Sequence, residues 1–91
     1  MALGISVSKW ADLPKGRKAV LFDDTESFTA YAAFYERDED GVRARRIHPQ
    51  SIQWARAFDV VVFVGRNYEL WEPFLDFRHY VLPLPVELVD S

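Results

Sequence analysis

Residues Asp59–Gly65 read DVVVFVG, and this stretch decides the fold. Its central residues, Val60–Val64, are all apolar, so they lack the alternation of apolar and polar side chains that marks a strand with one wet face. An uninterrupted β-branched run that ends at a glycine is typical of a central strand in a parallel sheet, because helices cover both faces of such a sheet. A second run, Lys18–Asp24 (KAVLFDD), has the same character and ends on two acids. Together the two runs predict an α/β domain.

The predicted order of elements is β-α-β-α-β-α-β over residues 19–83, within a single domain of residues 1–91. Residues 1–18 are predicted to be an N-terminal extension or an edge strand, and residues 84–91 a tail. The predicted strands, numbered one to four, are Ala19–Phe22, Val42–Ile47, Val60–Val64 and Tyr80–Leu82.

Three helices are predicted between these strands. Phe28, Tyr31, Ala32 and Tyr35 have the i, i+3, i+4, i+7 spacing of an amphipathic helix. Pro49 suits the first turn of the next helix, where its missing N–H does no harm. Asn67 could cap a third helix with Leu70, Trp71, Phe74 and Phe77 inward, but proline is unfavourable inside a helix, and Pro73 falls within this one. Either residues 67–72 form an irregular turn and Pro73 opens the helix, which we prefer, or the helix is kinked.

Connection handedness sets the predicted strand order. Right-handed crossovers, together with the arginines of strand two, place that strand at an edge. The prediction is a small three-layer domain with a mostly parallel four-stranded sheet in the flavodoxin-like order 2-1-3-4. A β-hairpin formed by Tyr31–Arg37 and Val42–Ile47 is the alternative for that region.

Composition excludes several classes of protein. The chain has no cysteine, which rules out disulfides, thiolate nucleophiles and cysteine-based metal sites. Its net charge of −3 disfavours non-specific nucleic-acid binding. No apolar run has the length of a membrane span, and the first residues lack the features of a signal peptide, so we expect no membrane partner and a cytoplasmic location. Few amide residues and many charges indicate a thermophilic source.

Ligands of such folds bind at the carboxyl ends of the strands. The predicted order brings six candidates to that edge: Asp23, Asp24, Thr25, His48, Arg66 and Asn67. Paired carboxylates beside a helix N-terminus can bind Mg²⁺, so Asp23 and Asp24 are the candidate metal ligands. The alternative, which we prefer, is that they are a helix cap and a solvated acid. His48 is predicted to be a helix-start residue rather than a catalytic base. No resident cofactor is predicted, with Mg²⁺ as the alternative.

The stretch Val20–Thr25 resembles the first strand and acidic pair of response-regulator receiver domains. The chain departs from that family at the end of strand three, where Gly65 and Arg66 stand in place of the phosphate-accepting aspartate. It is also shorter by one βα unit. The resemblance therefore does not predict phosphotransfer on an aspartate.

Two further groups of residues suggest binding partners. Arg43, Arg45 and Arg46 could contact nucleic acid, although pairing with Glu36, Asp38, Glu39 and Asp40 is the preferred interpretation. Aromatic residues make up 15% of the chain, more than so small a domain should enclose, so Trp10 and Trp71 are candidate subunit-interface residues. Leu3–Val7 is a second segment that could cross to a partner chain.

No complete catalytic constellation can be assembled from the sequence. The prediction is therefore a small non-catalytic binding or assembly module that acts as a homo-oligomer. The first alternative is a phospho-ligand site or Mg²⁺-dependent enzyme site at the carboxyl ends of strands one and three. The second is nucleic-acid binding through the Arg43–Arg46 edge. The sequence does not identify a ligand or a reaction.

Overall fold

The computed structural model describes residues 3–35 and 41–83. In these residues the strands are β1 (Gly4–Ser6), β2 (Lys18–Phe22), β3 (Val42–Arg46), β4 (Val60–Val64) and β5 (His79–Leu82), and the α-helices are α1 (Thr25–Tyr35), α2 (Pro49–Ala55) and α3 (Tyr68–Trp71). Short 3-10 turns lie at Trp10–Asp12 and Glu72–Phe74. The predicted α/β class is confirmed.

The strands form one parallel sheet in the order β1-β5-β4-β2-β3. All the residues of β4 are buried, and this strand pairs with β2 on one side and β5 on the other. Val62, in the middle of β4, lies opposite Val20 and Tyr80. The prediction that Val60–Val64 is a fully buried strand paired in parallel with Ala19–Phe22 is confirmed.

The sheet differs in detail from the predicted four-stranded one. A fifth strand, β1, lies beyond β5, where Val7 N–H donates to Val81 O at 3.0 Å and His79 N–H donates to Leu3 O at 3.1 Å. The four predicted strands keep their relative positions, but the complete order is not the predicted 2-1-3-4 because the N-terminal segment supplies an edge. In this structure Leu3–Val7 pairs with β5 of its own chain and so has a place in the sheet.

Helices and turns cover both faces of the sheet. On one face, α1 and the turn at Trp10–Asp12 pack on a core that includes Val20, Phe22 and Val62. On the other face, α2 and α3 pack on a core that includes Leu21 and Phe63. Successive residues of a strand point to opposite faces, so the unbroken apolar runs of β2 and β4 are explained by cover on both sides.

The segment between β4 and β5 differs from its prediction. Its helix, α3, precedes Pro73, and Pro73 lies in the first turn of the 3-10 helix, where its missing N–H costs nothing. Leu70 and Phe74, predicted to face inward, are 69% and 57% exposed, whereas Leu75 is buried. Because the α-helical turn of α3 is followed by a tighter 3-10 turn, Leu75 packs on the sheet, and Leu70 and Phe74 do not.

The pairing of β3 settles one further interpretation. This strand pairs in parallel with β2, so the alternative β-hairpin of Tyr31–Arg37 and Val42–Ile47 is wrong. The acidic loop and its pairing with the arginines fall on residues 36–40, and the tail is 84–91; both lie outside the described residues. None of the helices in the described ranges has the length and apolar content needed to cross a membrane.

We expect Val62→Asp to abolish folding. The side chain is completely buried, and an unpaired buried carboxylate costs several kcal/mol of the ~5–15 kcal/mol that stabilises a domain. The control Val62→Ala should fold and lose about 2 kcal/mol of unfolding free energy in urea titrations. A Val62→Asp protein with a cooperative transition would contradict the two-sided burial of β4.

Candidate functional site

The carboxyl ends of β2 and β4 lie side by side. Phe22 is in register with Val64, so Asp23 and Gly65, the next residues of the two strands, are neighbours. Asp23 N–H donates to Val64 O at 3.2 Å and extends the pairing by one hydrogen bond. In open α/β sheets, the crevice between two such strand ends is where ligands bind.

Asp23 is the residue that organises this crevice. Its Oδ2 atom accepts hydrogen bonds from the backbone N–H groups of Arg66 at 2.8 Å and Asn67 at 3.0 Å. The Asn67 side-chain amide donates to the same oxygen at 3.1 Å. Hydrogen bonds to a charged acceptor are among the stronger ones in proteins. One oxygen thus holds the turn after β4 against the end of β2.

The other oxygen of Asp23, Oδ1, is buried and has no hydrogen-bond partner among the described residues. The residue as a whole is only 9% exposed. Buried polar atoms without a partner are uncommon in proteins, and each one requires an explanation. Here the unpartnered atom belongs to a carboxyl group at the carboxyl ends of the strands, the edge at which open α/β sheets generally bind ligands.

Gly65 is required by the position of Asp23. A Cβ atom on Gly65 would overlap the Asp23 carboxyl group, and its φ of +155° is one that other residues rarely adopt. The glycine that marks the end of the DVVVFVG run therefore allows close approach of two chain segments. The sequence alone indicates a strand end here but not this contact.

Asp24 caps α1. Its Oδ1 atom accepts the Ser27 N–H at 2.6 Å, which is the usual N-cap hydrogen bond. This backbone hydrogen bond is the main reason that the pKa of Asp24 is lowered below its ordinary 3.8, against an opposing effect of burial. The side chains of Ser27 and Asp23, and the charge of Arg66, lower the pKa further. Asp24 is therefore ionised at neutral pH.

Asp23 and Asp24 are adjacent residues, and the Asp23 side chain contributes to the lowered pKa of Asp24. A cation bound beside two neighbouring carboxylates would offset their mutual repulsion. Within residues 3–35 and 41–83, no group of three or more His, Cys, Asp or Glu side chains could hold a metal ion. A cation at this place would rely on two carboxylates and water, which is how Mg²⁺ is commonly bound.

The remaining candidates are placed around this pair. Thr25 is the first residue of α1, and Arg66 and Asn67 follow Gly65 with exposed side chains. The structure thus joins Asp23 to the backbones of both Arg66 and Asn67. Sequence order alone indicates their shared edge but not this hydrogen-bonded arrangement.

His48 lies at the end of β3 and caps α2. Its Nδ1 atom accepts the backbone N–H groups of Gln50 at 3.2 Å and Ser51 at 3.4 Å. In return, the Ser51 hydroxyl accepts the His48 N–H at 3.0 Å and donates to Arg46 O at 2.6 Å. This reciprocal capping box occupies the ring nitrogen that a base would use.

The three arginines of β3 do not form one surface. Strand alternation puts Arg43 and Arg45 on the face covered by α2 and Arg46 on the opposite face. The Arg45 guanidinium lies 4.3 Å from the centre of the Trp54 ring, a cation–π contact.

The two tryptophans predicted to lie at a subunit interface are half-buried in the chain. The ring centre of Trp10 lies 4.9 Å from that of Tyr35, and the ring centre of Trp71 lies 5.8 Å from that of Phe74.

A buried pair that sequence reasoning missed joins α3 to β5. The Tyr68 hydroxyl lies 2.7 Å from His79 Nε2, and His79 Nδ1 lies 2.8 Å from Phe77 O. A carbonyl only accepts, so Nδ1 carries the proton and Nε2 accepts from the tyrosine. Burial, and then the charge of Glu72, raises the pKa of Tyr68. A Cβ atom on Gly4 would overlap the Tyr68 hydroxyl. A glycine inside a strand often marks such a close approach, so Gly4 was the feature of the sequence that could have indicated this contact.

Comparison of the chain with protein-family models, with curated proteins and with solved structures finds no match to any of them. The geometry of the strand ends is therefore the basis on which a function is inferred.

We expect Gly65→Ala to lower the free energy of unfolding by about 2 kcal/mol or more, because the new methyl group would overlap the Asp23 carboxyl group. Gly41→Ala is the matched control. The φ of Gly41, +68°, is in the ordinary left-handed region, and a Cβ atom there would meet only the flexible Arg17 side chain. Gly41→Ala should therefore lower the free energy of unfolding by only about 1 kcal/mol. Equal losses in the two variants, measured by urea unfolding, would contradict the close packing of Asp23 on Gly65.

Proposed function

We propose that this domain is a non-catalytic binding module that holds a hydrated Mg²⁺ ion between Asp23 and Asp24, at the carboxyl ends of β2 and β4. The observation that carries the proposal is the buried, unpartnered Oδ1 atom of Asp23. A metal–oxygen bond would satisfy that atom, whereas no hydrogen-bond donor of the described residues reaches it.

The charges around the pair favour a cation. Asp24 is held ionised by the Ser27 hydrogen bond, and Asp23 Oδ2 accepts three N–H hydrogen bonds, which fix the position of that carboxyl group. Mg²⁺ prefers carboxylate oxygens and retains several water molecules, so two ligands from the protein suffice. Arg66, exposed beside the pair, is suited to a phosphate group on a ligand that also contacts the ion.

Binding is better supported than catalysis. A general base or nucleophile has to reach the reacting atoms. The two histidines of the chain are engaged elsewhere, His48 in the cap of α2 and His79 in the hydrogen bond with Tyr68. The Asp23 carboxylate is fixed by backbone groups, which is the arrangement of a positioned ligand for a cation.

We expect millimolar Mg²⁺ to raise the melting temperature of the wild-type chain, relative to NaCl of equal ionic strength. A ligand present at ten times its Kd stabilises the folded state by about 1.4 kcal/mol. Asp24→Asn should abolish this response while it keeps the helix cap, because asparagine caps helices as well as aspartate does. Asp12→Asn, which removes an exposed carboxylate elsewhere, is the control and should respond as wild type does. A wild-type chain indifferent to Mg²⁺ would overturn the proposal.

Self-association is the second candidate function, and one specific observation favours it. Leu70 and Phe74 are exposed together on the segment between β4 and β5. Phe74 also borders a groove of 160 Å³ that Ile52 and Arg56 of the α2 region help to line. Exposed apolar patches of this kind are typical of protein–protein contact.

Nucleic-acid binding through the Arg43–Arg46 edge is less well supported than self-association, because Arg46 lies on the opposite face of the sheet from Arg43 and Arg45.

For a homodimer we expect light scattering at micromolar concentration to give a mass near twice 10.6 kDa. The double variant Leu70→Lys/Phe74→Lys should be monomeric, because charges would replace the exposed apolar side chains. Leu3→Lys, which changes an exposed leucine just before β1, is the control and should remain dimeric. A wild-type chain that scatters as a monomer at high concentration would exclude self-association.

A further inference from the structure

A cavity lies at the opposite end of the sheet from the acidic pair, where β2 and β3 begin and just before β4. Its volume is 490 Å³, within the range of small-molecule binding sites. Its lining includes the cations Lys15, Arg17 and Lys18, the carboxylate of Asp59 and the ring of Trp10. The lining therefore carries an excess of two positive charges, although the whole chain has a net charge of −3.

The turn that carries these cations is held in place by Asp59. The Asp59 Oδ2 atom accepts the backbone N–H of Arg17 at 3.0 Å, and Val60 N–H donates to Arg17 O at 3.0 Å. Gly16 has φ +134°, and a Cβ atom there would lie 2.9 Å from Asp59 Cβ. Only glycine allows this approach without strain. The Asp59 carboxylate thus fixes the backbone of the turn at Gly16 and Arg17, which forms one wall of the cavity.

The cations themselves remain available to a ligand. The Arg17 guanidinium lies 4.8 Å from the centre of the Phe58 ring, which orients it without neutralising its charge. The Lys18 ammonium donates to Gly16 O at 3.2 Å and lies 5.9 Å from the Trp10 ring. Among residues 3–35 and 41–83, the structure gives none of the three cations a salt bridge.

We propose that this cavity binds the phosphate group of a small phosphorylated molecule. A terminal phosphate carries a charge of about −1.5 to −2 at neutral pH, which matches the excess of two positive charges. The guanidinium of Arg17 fits phosphate oxygens in a bidentate geometry, while Lys15 and Lys18 act as point charges. A net positive charge on a concave surface also concentrates the field that attracts a counter-ion.

This site is independent of the proposed Mg²⁺ site. The two lie at opposite ends of β2, a strand of five residues, which separates them by roughly 16 Å at ~3.3 Å per residue. Failure of one proposal therefore leaves the other intact, and a residue-resolved measurement distinguishes them.

Titration of the full chain with pyrophosphate, in Mg²⁺-free buffer at low ionic strength, tests the proposal by amide NMR. We expect saturable shifts at Gly16, Arg17, Lys18 and Val42 and at the Trp10 indole. Lys15→Met and Lys18→Met, made separately, should each weaken binding about tenfold or more, which corresponds to about 1.4 kcal/mol or more for the loss of one charge-assisted hydrogen bond. Lys15 is exposed, so its variant keeps the test valid even if Lys18→Met fails to fold.

Arg46→Met is the matched control, because it removes one exposed cation from the other end of β3. It should retain wild-type affinity for pyrophosphate within about twofold, as expected for screened surface charge. An equal loss in Arg46→Met would overturn the proposal by showing non-specific attraction. Shifts confined to Asp23 and Arg66, or the absence of saturable shifts, would overturn it as well.

Discussion

The hydrogen bonds on one carboxylate oxygen, Oδ2 of Asp23, are the interaction on which the arrangement of the strand ends depends. They tie the turn after β4 to the end of β2 through Arg66 and Asn67. The contact is so close that residue 65 has to be glycine. The same turn sets where α3 begins, and hence where Tyr68 meets His79. A single acid thus connects the central strand pair, the loop that follows it and a buried polar contact at the next strand.

The position of the Asp23 carboxylate follows from the fold. Cover on both faces buries β2 and β4, and their parallel pairing brings the two carboxyl ends together. At the other end of the same strands, Asp59 fixes the turn that carries Lys15, Arg17 and Lys18. The two ends of the sheet consequently differ in charge: a pair of acids lies at one and a group of cations at the other. In each case one aspartate bonds to backbone N–H groups and forces a glycine opposite it.

Sequence reasoning succeeded where one local pattern determines the structure. The run Val60–Val64 predicts a fully buried parallel strand, because no other environment accepts it. Pro49 likewise marks the start of α2, since proline is favoured there. The edge that carries Asp23, Asp24 and Arg66 follows from strand order alone.

Other features depend on contacts between distant residues. The hydrogen bonds that join Asp23 to Arg66 and Asn67 span more than forty residues of sequence, so no local pattern reports them. The segment around Pro73 is ambiguous in sequence, and the structure has an α-helical turn before Pro73 and a 3-10 turn that contains it, with Leu75 buried after them. The arginines of β3 look like one cluster in sequence, yet strand alternation separates Arg46 from Arg45.

The Mg²⁺ proposal makes Oδ1 of Asp23 a ligand for a cation shared with Asp24. Anomalous scattering from crystals grown with Mn²⁺ in place of Mg²⁺ identifies the bound ion and its position. We expect an anomalous peak about 2.2 Å from Asp23 Oδ1 and from an oxygen of Asp24, with water completing the coordination. Saturating Mn²⁺ with no peak between the two carboxyl groups would contradict the proposal.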